Sequence, residues 1–184
     1  MNRADFLIPF VGIIVGLGVA DLLLSVHRAI RAGVRWHPLP AAWATIAFMY
    51  VLMYWFVLGE IIQGRALTTF FGFAFHLGTP ILLFLLCAAA LPDRADPDEP
   101  LVDYYFGNRR YFFGLLAAHL VHGALDYGFG YGEWDRLPPW LSLGLALPVG
   151  ALAFTDRRAV HAVVTVAVAA LLTVGVLAFG GTFG

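Results

Sequence analysis

The feature that most constrains this chain is a series of six apolar runs, each about as long as a membrane is thick. A helix rises about 1.5 Å per residue, so about 20 apolar residues cross a hydrocarbon layer of about 30 Å. The runs cover residues 6–28, 41–60, 68–91, 111–131, 138–155 and 159–180. They predict a single transmembrane domain, an all-α polytopic membrane protein whose bundle contains about six transmembrane helices.

The composition agrees with a lipid environment rather than an aqueous one. Hydrophobic residues make up 61% of the chain and charged residues 12%, against about 45–50% and about 25% in a soluble domain. The mean hydropathy is +0.82. The formal net charge of -1 does not favour a nucleic-acid partner. The expected partner is the lipid bilayer, and the expected location is a bacterial inner membrane.

The basic residues are unevenly distributed among the connections. Eight of the eleven basic residues fall in the first, third and fifth connections or at the adjoining helix ends. Short cytoplasmic connections carry an excess of arginine and lysine, so the positive-inside rule predicts both termini on the outer, periplasmic side. The eight residues are Arg28, Arg31, Arg35, Arg94, Arg109, Arg110, Arg157 and Arg158.

The longest predicted connection, residues 92–110, is acidic at its start and rich in aromatic residues and arginine at its end. Amphipathic rings and arginine side chains prefer the headgroup level of a membrane. We therefore expect Tyr104, Tyr105, Arg109 and Arg110 at the cytoplasmic interface. By the same reasoning, Trp134 and Trp140 are expected at the outer interface.

The fourth run contains the most informative pattern, His119, His122 and Asp126. Their spacing of i, i+3 and i+7 places the three side chains on one face of a helix. An ionisable group inside the hydrocarbon costs several kcal/mol unless it is paired or hydrated, and it often marks a pathway or a site. This stripe is therefore the leading candidate for function.

Polar residues of the neighbouring runs lie at similar depths and extend the stripe to a candidate polar pocket. His76 in the third run and His122 in the fourth both lie roughly 12–14 Å from the outer surface if the rise is ~1.5 Å per residue. Asp126 lies nearer that surface, and Glu60 is at the outer end of the second run. Together with His119, these residues outline a pocket that opens outward.

Three kinds of site are compatible with this pocket. His76, His122 and Asp126 could bind a metal ion, or a histidine of each helix could bind haem iron, although neither cofactor is favoured. A chain of titratable groups could instead carry protons. The stripe could also be structural, bonding across helices or to the His76 carbonyl that Pro80 leaves without its usual donor.

Asp21 is the other acidic residue inside an apolar run. We expect it to be paired rather than to act as a proton site, because long basic side chains near a helix end can reach inward. The candidate partners are Arg28, Arg157, Arg158 and His161.

Three functional classes follow, and the sequence narrowly favours the first. They are translocation of an ion, a proton or a small molecule; a metal- or haem-containing membrane enzyme or electron-transfer protein that uses the His119, His122 and Asp126 stripe; and an accessory subunit. Translocation requires Asp21 on the inner half to communicate with Asp126 and Glu60 on the outer half. An accessory subunit or a homo-oligomer would use small-residue faces such as Gly12 and Gly16.

Overall fold

The computed structural model describes residues 4–64, 70–132, 134–135 and 137–180. Within these ranges, the side chains of residues 4–7, 59–64, 130–131 and 178–180 are outside the described set. The side chain of Glu60, one of the predicted pocket residues, therefore lies outside the described residues.

The described residues form helices and contain no strand. This confirms the predicted all-α class. A short 3-10 helix, Leu152–Phe154, follows directly after α6. The α-helices are α1 Ala4–Ala32, α2 Pro38–Gly64, α3 Phe70–His76, α4 Gly78–Ala90, α5 Leu101–Tyr131, α6 Leu137–Ala151 and α7 Arg158–Gly180.

Within the described residues, five helical segments are long and apolar enough to cross a membrane, and they indicate a multi-pass membrane protein. α3 and α4 together make one of these segments. α5 has 31 residues but is not among the five, because His119, His122 and Asp126 lower its hydropathy. The five segments are Ile8–Ala32, Pro38–Leu58, Phe70–Ala90, Leu137–Phe154 and Arg158–Leu177.

The helix that carries the polar stripe is surrounded by other helices. α5 packs against α2, α3, α4, α6 and the 3-10 helix, while α1 packs against α2 and α4, and α7 against α2 and α6. A helix with ionisable side chains is costly to expose to lipid, so an interior position allows its polar groups to find partners.

α5 begins at Leu101, whereas the sequence predicts a connection up to residue 110. Pro100 has extended backbone angles (φ −64°, ψ 140°) and precedes the first helical residue. The Leu101 side chain is 1% exposed, and its backbone N–H donates to the Arg35 carbonyl at 3.3 Å. The aromatic second half of the predicted connection is thus the beginning of a helix that packs into the bundle.

The third predicted helix is interrupted at Leu77, between α3 and α4. Pro80 lies in the first turn of α4, where its missing N–H is tolerated because the first helical N–H groups have no intrahelical partner. The Leu77 N–H still donates to the Phe73 carbonyl at 3.0 Å, so the two helices remain nearly continuous. The interruption leaves the Phe75 carbonyl available to a side chain of another helix.

With α3 and α4 counted as one segment, successive segments run in alternating directions, so the bundle has two ends. We call the end with Gly33, residues 91–100 and the beginning of α7 the loop side. We call the end with the beginning of α1 and the end of α7 the termini side. Gly33 has φ 67° and adopts the left-handed conformation that ends α1. Its N–H donates to the Ile30 carbonyl, and the Val34 N–H donates to the Ala29 carbonyl.

α1 and α4 approach each other closely at Gly18. A Cβ added there would lie 3.0 Å from the Phe84 Cα atom, which is backbone and cannot rotate away. A Cβ added at Gly16 would have nothing within 4 Å, and one added at Gly12 would lie 3.0 Å from the Trp55 ring. The described residues therefore place the close contact at Gly18 rather than at Gly16.

Replacing Gly18 by Val is expected to destabilise the protein by about 1–3 kcal/mol, because the added methyl groups force α1 and α4 apart. Thermal unfolding of the protein in detergent measures this change. Gly16→Val is the matched control, since it has the same chemistry on the same helix without a neighbour. Equal unfolding temperatures for the two variants would contradict the close contact.

Candidate functional site

A hydrogen-bonded chain of three titratable side chains joins three helices near the termini side. His76 Nδ1 lies 3.0 Å from Asp126 Oδ2, and His76 Nε2 lies 3.4 Å from the Tyr54 hydroxyl. The exposed fractions are 2% for His76, 8% for Asp126 and 7% for Tyr54. We call Tyr54, His76 and Asp126 the relay cluster.

The direction of these bonds follows from what each group can donate. A carboxylate only accepts, so the Asp126 carboxylate accepts from the His76 Nδ1–H. In the neutral ring, Nε2 then carries a lone pair that accepts from the Tyr54 O–H. The cluster is therefore a line of three groups, each of which can gain or lose a proton.

His122 makes a different set of bonds. Its Nε2 lies 3.0 Å from the Phe75 carbonyl, and its Nδ1 lies 3.1 Å from Thr79 Oγ1. The carbonyl can only accept, so Nε2–H donates to it, and Nδ1 of the neutral ring accepts from the Thr79 hydroxyl. The ring also stacks on Phe75 at 4.7 Å. His122 thus fastens α5 to the break between α3 and α4.

His119 lies closer to the middle of the bundle than His122. Its ring packs edge-on against the Tyr50 ring at 5.5 Å. The Nδ1 atom is buried and has no hydrogen-bond partner among the described residues. Tyr50 is one helical turn from Tyr54 on α2, so this pair continues the relay cluster toward the loop side.

The structure thus brings His76 and Asp126 together. The described hydrogen bonds of His76 go to Asp126 and Tyr54, whereas those of His122 go to Thr79 and the Phe75 carbonyl. Within the described part of the chain, no group of three His, Cys, Asp or Glu residues could hold a metal ion. The bond from His122 reaches the Phe75 carbonyl rather than that of His76.

The expected pairing of Asp21 is not found. Among the described residues, Asp21 has no hydrogen bond or ion pair. Arg28 donates instead to the Asp93 carbonyl at 2.8 Å. The other candidate partners are at the beginning of α7 or directly before it, and α7 packs against α2 and α6, whereas α1 packs against α2 and α4.

A second buried cluster near the loop side was missed from the sequence. The Tyr105 hydroxyl lies 2.6 Å from His161 Nδ1, and His161 Nε2 lies 3.0 Å from the Thr155 carbonyl. His161 therefore donates to the carbonyl and accepts from Tyr105. The exposed fractions are 0% for His161 and 6% for Tyr105, so Tyr105 faces the bundle rather than the headgroups. We call Tyr105, Thr155 and His161 the loop-side cluster.

Three aromatic residues lie between the two clusters. The Trp43 ring packs edge-on against Phe113 at 5.0 Å and Phe112 at 5.9 Å. Trp43 is 1% and Phe113 0% exposed. We call Trp43, Phe112 and Phe113 the aromatic plug.

A sequence signal for this arrangement exists on both helices. Tyr105, Phe112, His119 and Asp126 recur every seven residues on α5, so they lie along one face. Trp43, Tyr50 and Tyr54 follow at i, i+7 and i+11 on α2. The contact between these two faces, the α2–α5 seam, contains both the plug and the titratable groups on either side of it.

The other residues expected at interfaces have mixed surroundings. Tyr104 is half-buried, and its hydroxyl donates to the Leu91 carbonyl at 3.2 Å. Arg109 pairs with Asp156 at 2.7 Å, while Arg110 is exposed. These bonds hold the loop-side ends of the helices together.

On the termini side, Trp140 is 57% exposed. Its indole N–H donates to the Trp134 carbonyl at 2.7 Å, and the Trp134 ring covers Gly128 and packs against Phe129 at 5.2 Å. An exposed ring beside a satisfied N–H is compatible with the headgroup level.

Comparisons with protein-family models, curated proteins and solved structures found no match to this chain.

Proposed function

We propose that this protein translocates protons across a membrane and that the relay cluster is its protonation site. The observation that carries the proposal is the buried chain from Asp126 through His76 to Tyr54, with separations of 3.0 and 3.4 Å. All three side chains can exchange protons. Ionisable groups buried in a membrane bundle mark proton relays and ion pathways more often than packing.

The two clusters on the α2–α5 seam support a path rather than an isolated site. The His119–Tyr50 contact extends the titratable groups inward from the relay cluster. Beyond the aromatic plug, Tyr105 and His161 provide the next groups that can exchange a proton. In this proposal they replace Asp21 as the titratable groups of the inner half, because Asp21 is on α1 and therefore outside the α2–α5 seam. A proton path along the seam would use water and side chains on both sides of the plug.

The plug closes this path in the described conformation. Phe113 is fully buried and contacts Trp43 on one side and Tyr105 at 5.9 Å on the other. Rings packed edge-on at 5–6 Å leave no room for a water chain. Conduction therefore requires displacement of these rings, and the plug acts as the gate.

The orientation that we propose follows from the positive-inside rule. With α5 added to the five apolar segments, the chain crosses the membrane six times, both termini are on the outer side, and the loop side faces the cytoplasm of a bacterial cell. The support is the presence of Arg28, Arg31, Arg94, Arg110 and the neighbouring arginines at loop-side helix ends and connections. The relay cluster then opens toward the outer surface.

Proton flux into liposomes tests the proposal. The purified chain is reconstituted in vesicles that contain a pH-sensitive dye, and a potassium diffusion potential drives protons inward. We expect acidification well above that of protein-free vesicles. Equal rates with and without protein would contradict proton translocation.

Replacing Phe113 by Leu is expected to increase this flux several-fold, because a smaller apolar side chain leaves space for water within the plug. The reconstituted amount of folded protein is matched by size-exclusion chromatography before each flux measurement. Phe71→Leu is the control, since it makes the same change at an exposed residue outside the plug and the relay cluster.

If the plug gates a path that runs through the relay cluster, the increase in proton flux in Phe113→Leu must depend on that cluster. We therefore expect Phe113→Leu combined with Asp126→Asn to return to the rate of protein-free vesicles. A high flux in the combined variant would show a nonspecific leak, and an unchanged flux in Phe113→Leu alone would contradict the gate.

A further inference from the structure

A basic pocket lies on the loop side, away from the α2–α5 seam. It is formed by the last turns of α1 and the first residues after α4, and it is a wide depression open to the surface, with a volume of about 450 Å³. The residues that line it are His27, Arg28, Arg31, Ala32, Asp93, Arg94 and Ala95.

The charges in this pocket are predominantly positive. Arg28, Arg31 and Arg94 carry permanent positive charges, and Asp93 is the acidic residue among those that line it. Within the described residues, none of the three arginines forms an ion pair. The adjoining connection contains further carboxylates, yet the described bond from Arg28 goes to a backbone carbonyl.

Arg28 has a structural part in forming the pocket. Its Nη1 donates to the Asp93 carbonyl at 2.8 Å, which holds the connection against α1. A guanidinium has five N–H donors in a planar fork that matches the oxygens of a phosphate. Arg31 and Arg94 are exposed, so their donors can turn toward a group that enters the pocket.

The pocket lies at the level where the apolar segment of α1 ends, which favours binding of a group at the membrane surface. The apolar segment of α1 ends at Ala32, which lines the pocket. Trp36, which is 44% exposed, follows shortly after it. Basic pockets between membrane helices at this level bind anionic headgroups through their phosphates.

We infer that this pocket binds a phosphate group, supplied by the headgroup of an anionic lipid or by phosphate in solution. This site is independent of the proposed proton path. Arg31 and Arg94 provide the main contacts, and Arg28 shapes the pocket by holding Asp93.

Isothermal titration of the full chain in an uncharged detergent tests this site with two probes. The first is dihexanoylphosphatidylglycerol, compared with dihexanoylphosphatidylcholine, and the second is inorganic phosphate. Saturable binding of the anionic lipid above the zwitterionic one indicates a lipid headgroup. Saturable binding of inorganic phosphate indicates a soluble source.

The variant with Arg31→Gln and Arg94→Gln is expected to weaken the observed binding about tenfold or more. Arg110→Gln with Arg157→Gln is the matched control, because it removes the same charge from exposed loop-side residues outside the pocket. Binding of neither probe to the unmodified chain, or an equal loss in both variants, would overturn the inference.

Discussion

Asp126→Asn is expected to reduce proton flux through the reconstituted protein by roughly 100-fold, or to the rate of protein-free vesicles if that is reached first. The amide has nearly the same shape and still offers an oxygen that accepts from the His76 Nδ1–H, which lies 3.0 Å from the carboxylate. It cannot exchange a proton in the relay. The fold should therefore persist while the transfer step is lost.

Asp103→Asn is the matched control for this prediction. It makes the same substitution on the same helix, at an exposed position in the first turn of α5. Its flux should equal that of the unmodified chain. If Asp126→Asn conducts as fast as this control, the relay cluster is structural and the proposed protonation site is wrong.

The second large effect is expected at Gly78. Gly78→Ala should destabilise the protein by about 1–3 kcal/mol, because the added Cβ would overlap the His122 ring. His122 would lose its bonds to the Phe75 carbonyl and the Thr79 hydroxyl, which are 3.0 and 3.1 Å long. Thermal unfolding in detergent measures the loss.

A matched control and a double variant identify the cause of this loss. Gly114 is a helical glycine on α5 with nothing within 4 Å of an added Cβ, so Gly114→Ala should be neutral or stabilising by about 0.5–1 kcal/mol. Removing the ring with His122→Ala should make the Gly78→Ala change much less costly. If the losses of stability in Gly78→Ala and His122→Ala simply add in the double variant, the His122 ring is not the group that requires glycine at position 78.

The apolar runs and their approximate positions are determined by the sequence alone. A segment that crosses lipid must satisfy its own backbone groups and bury about 20 apolar residues, so hydropathy along the chain is enough to find it. The same local rule identified the stripe of His119, His122 and Asp126, because a helical period of 3.6 residues places them on one face.

The partner of each polar side chain was decided by the tertiary structure. His76 could have faced His122 at the predicted depth, but it bonds to Asp126 and Tyr54 instead. The beginning of α5 at Leu101 depends on a hydrogen bond to Arg35 from another part of the chain. The loop-side cluster similarly joins Tyr105 to His161 from separate helices.

The physical reason for this division is the range of the interactions. Hydropathy and helical periodicity are properties of neighbouring residues, and they determined where the apolar segments and the polar stripe of α5 lie along the chain. A hydrogen bond between helices depends on their rotation and separation, which packing sets to within an ångström. Only the assembled bundle therefore decided that Asp126 meets His76, that Asp21 has no described ion-pair partner, and that an aromatic plug separates two polar clusters.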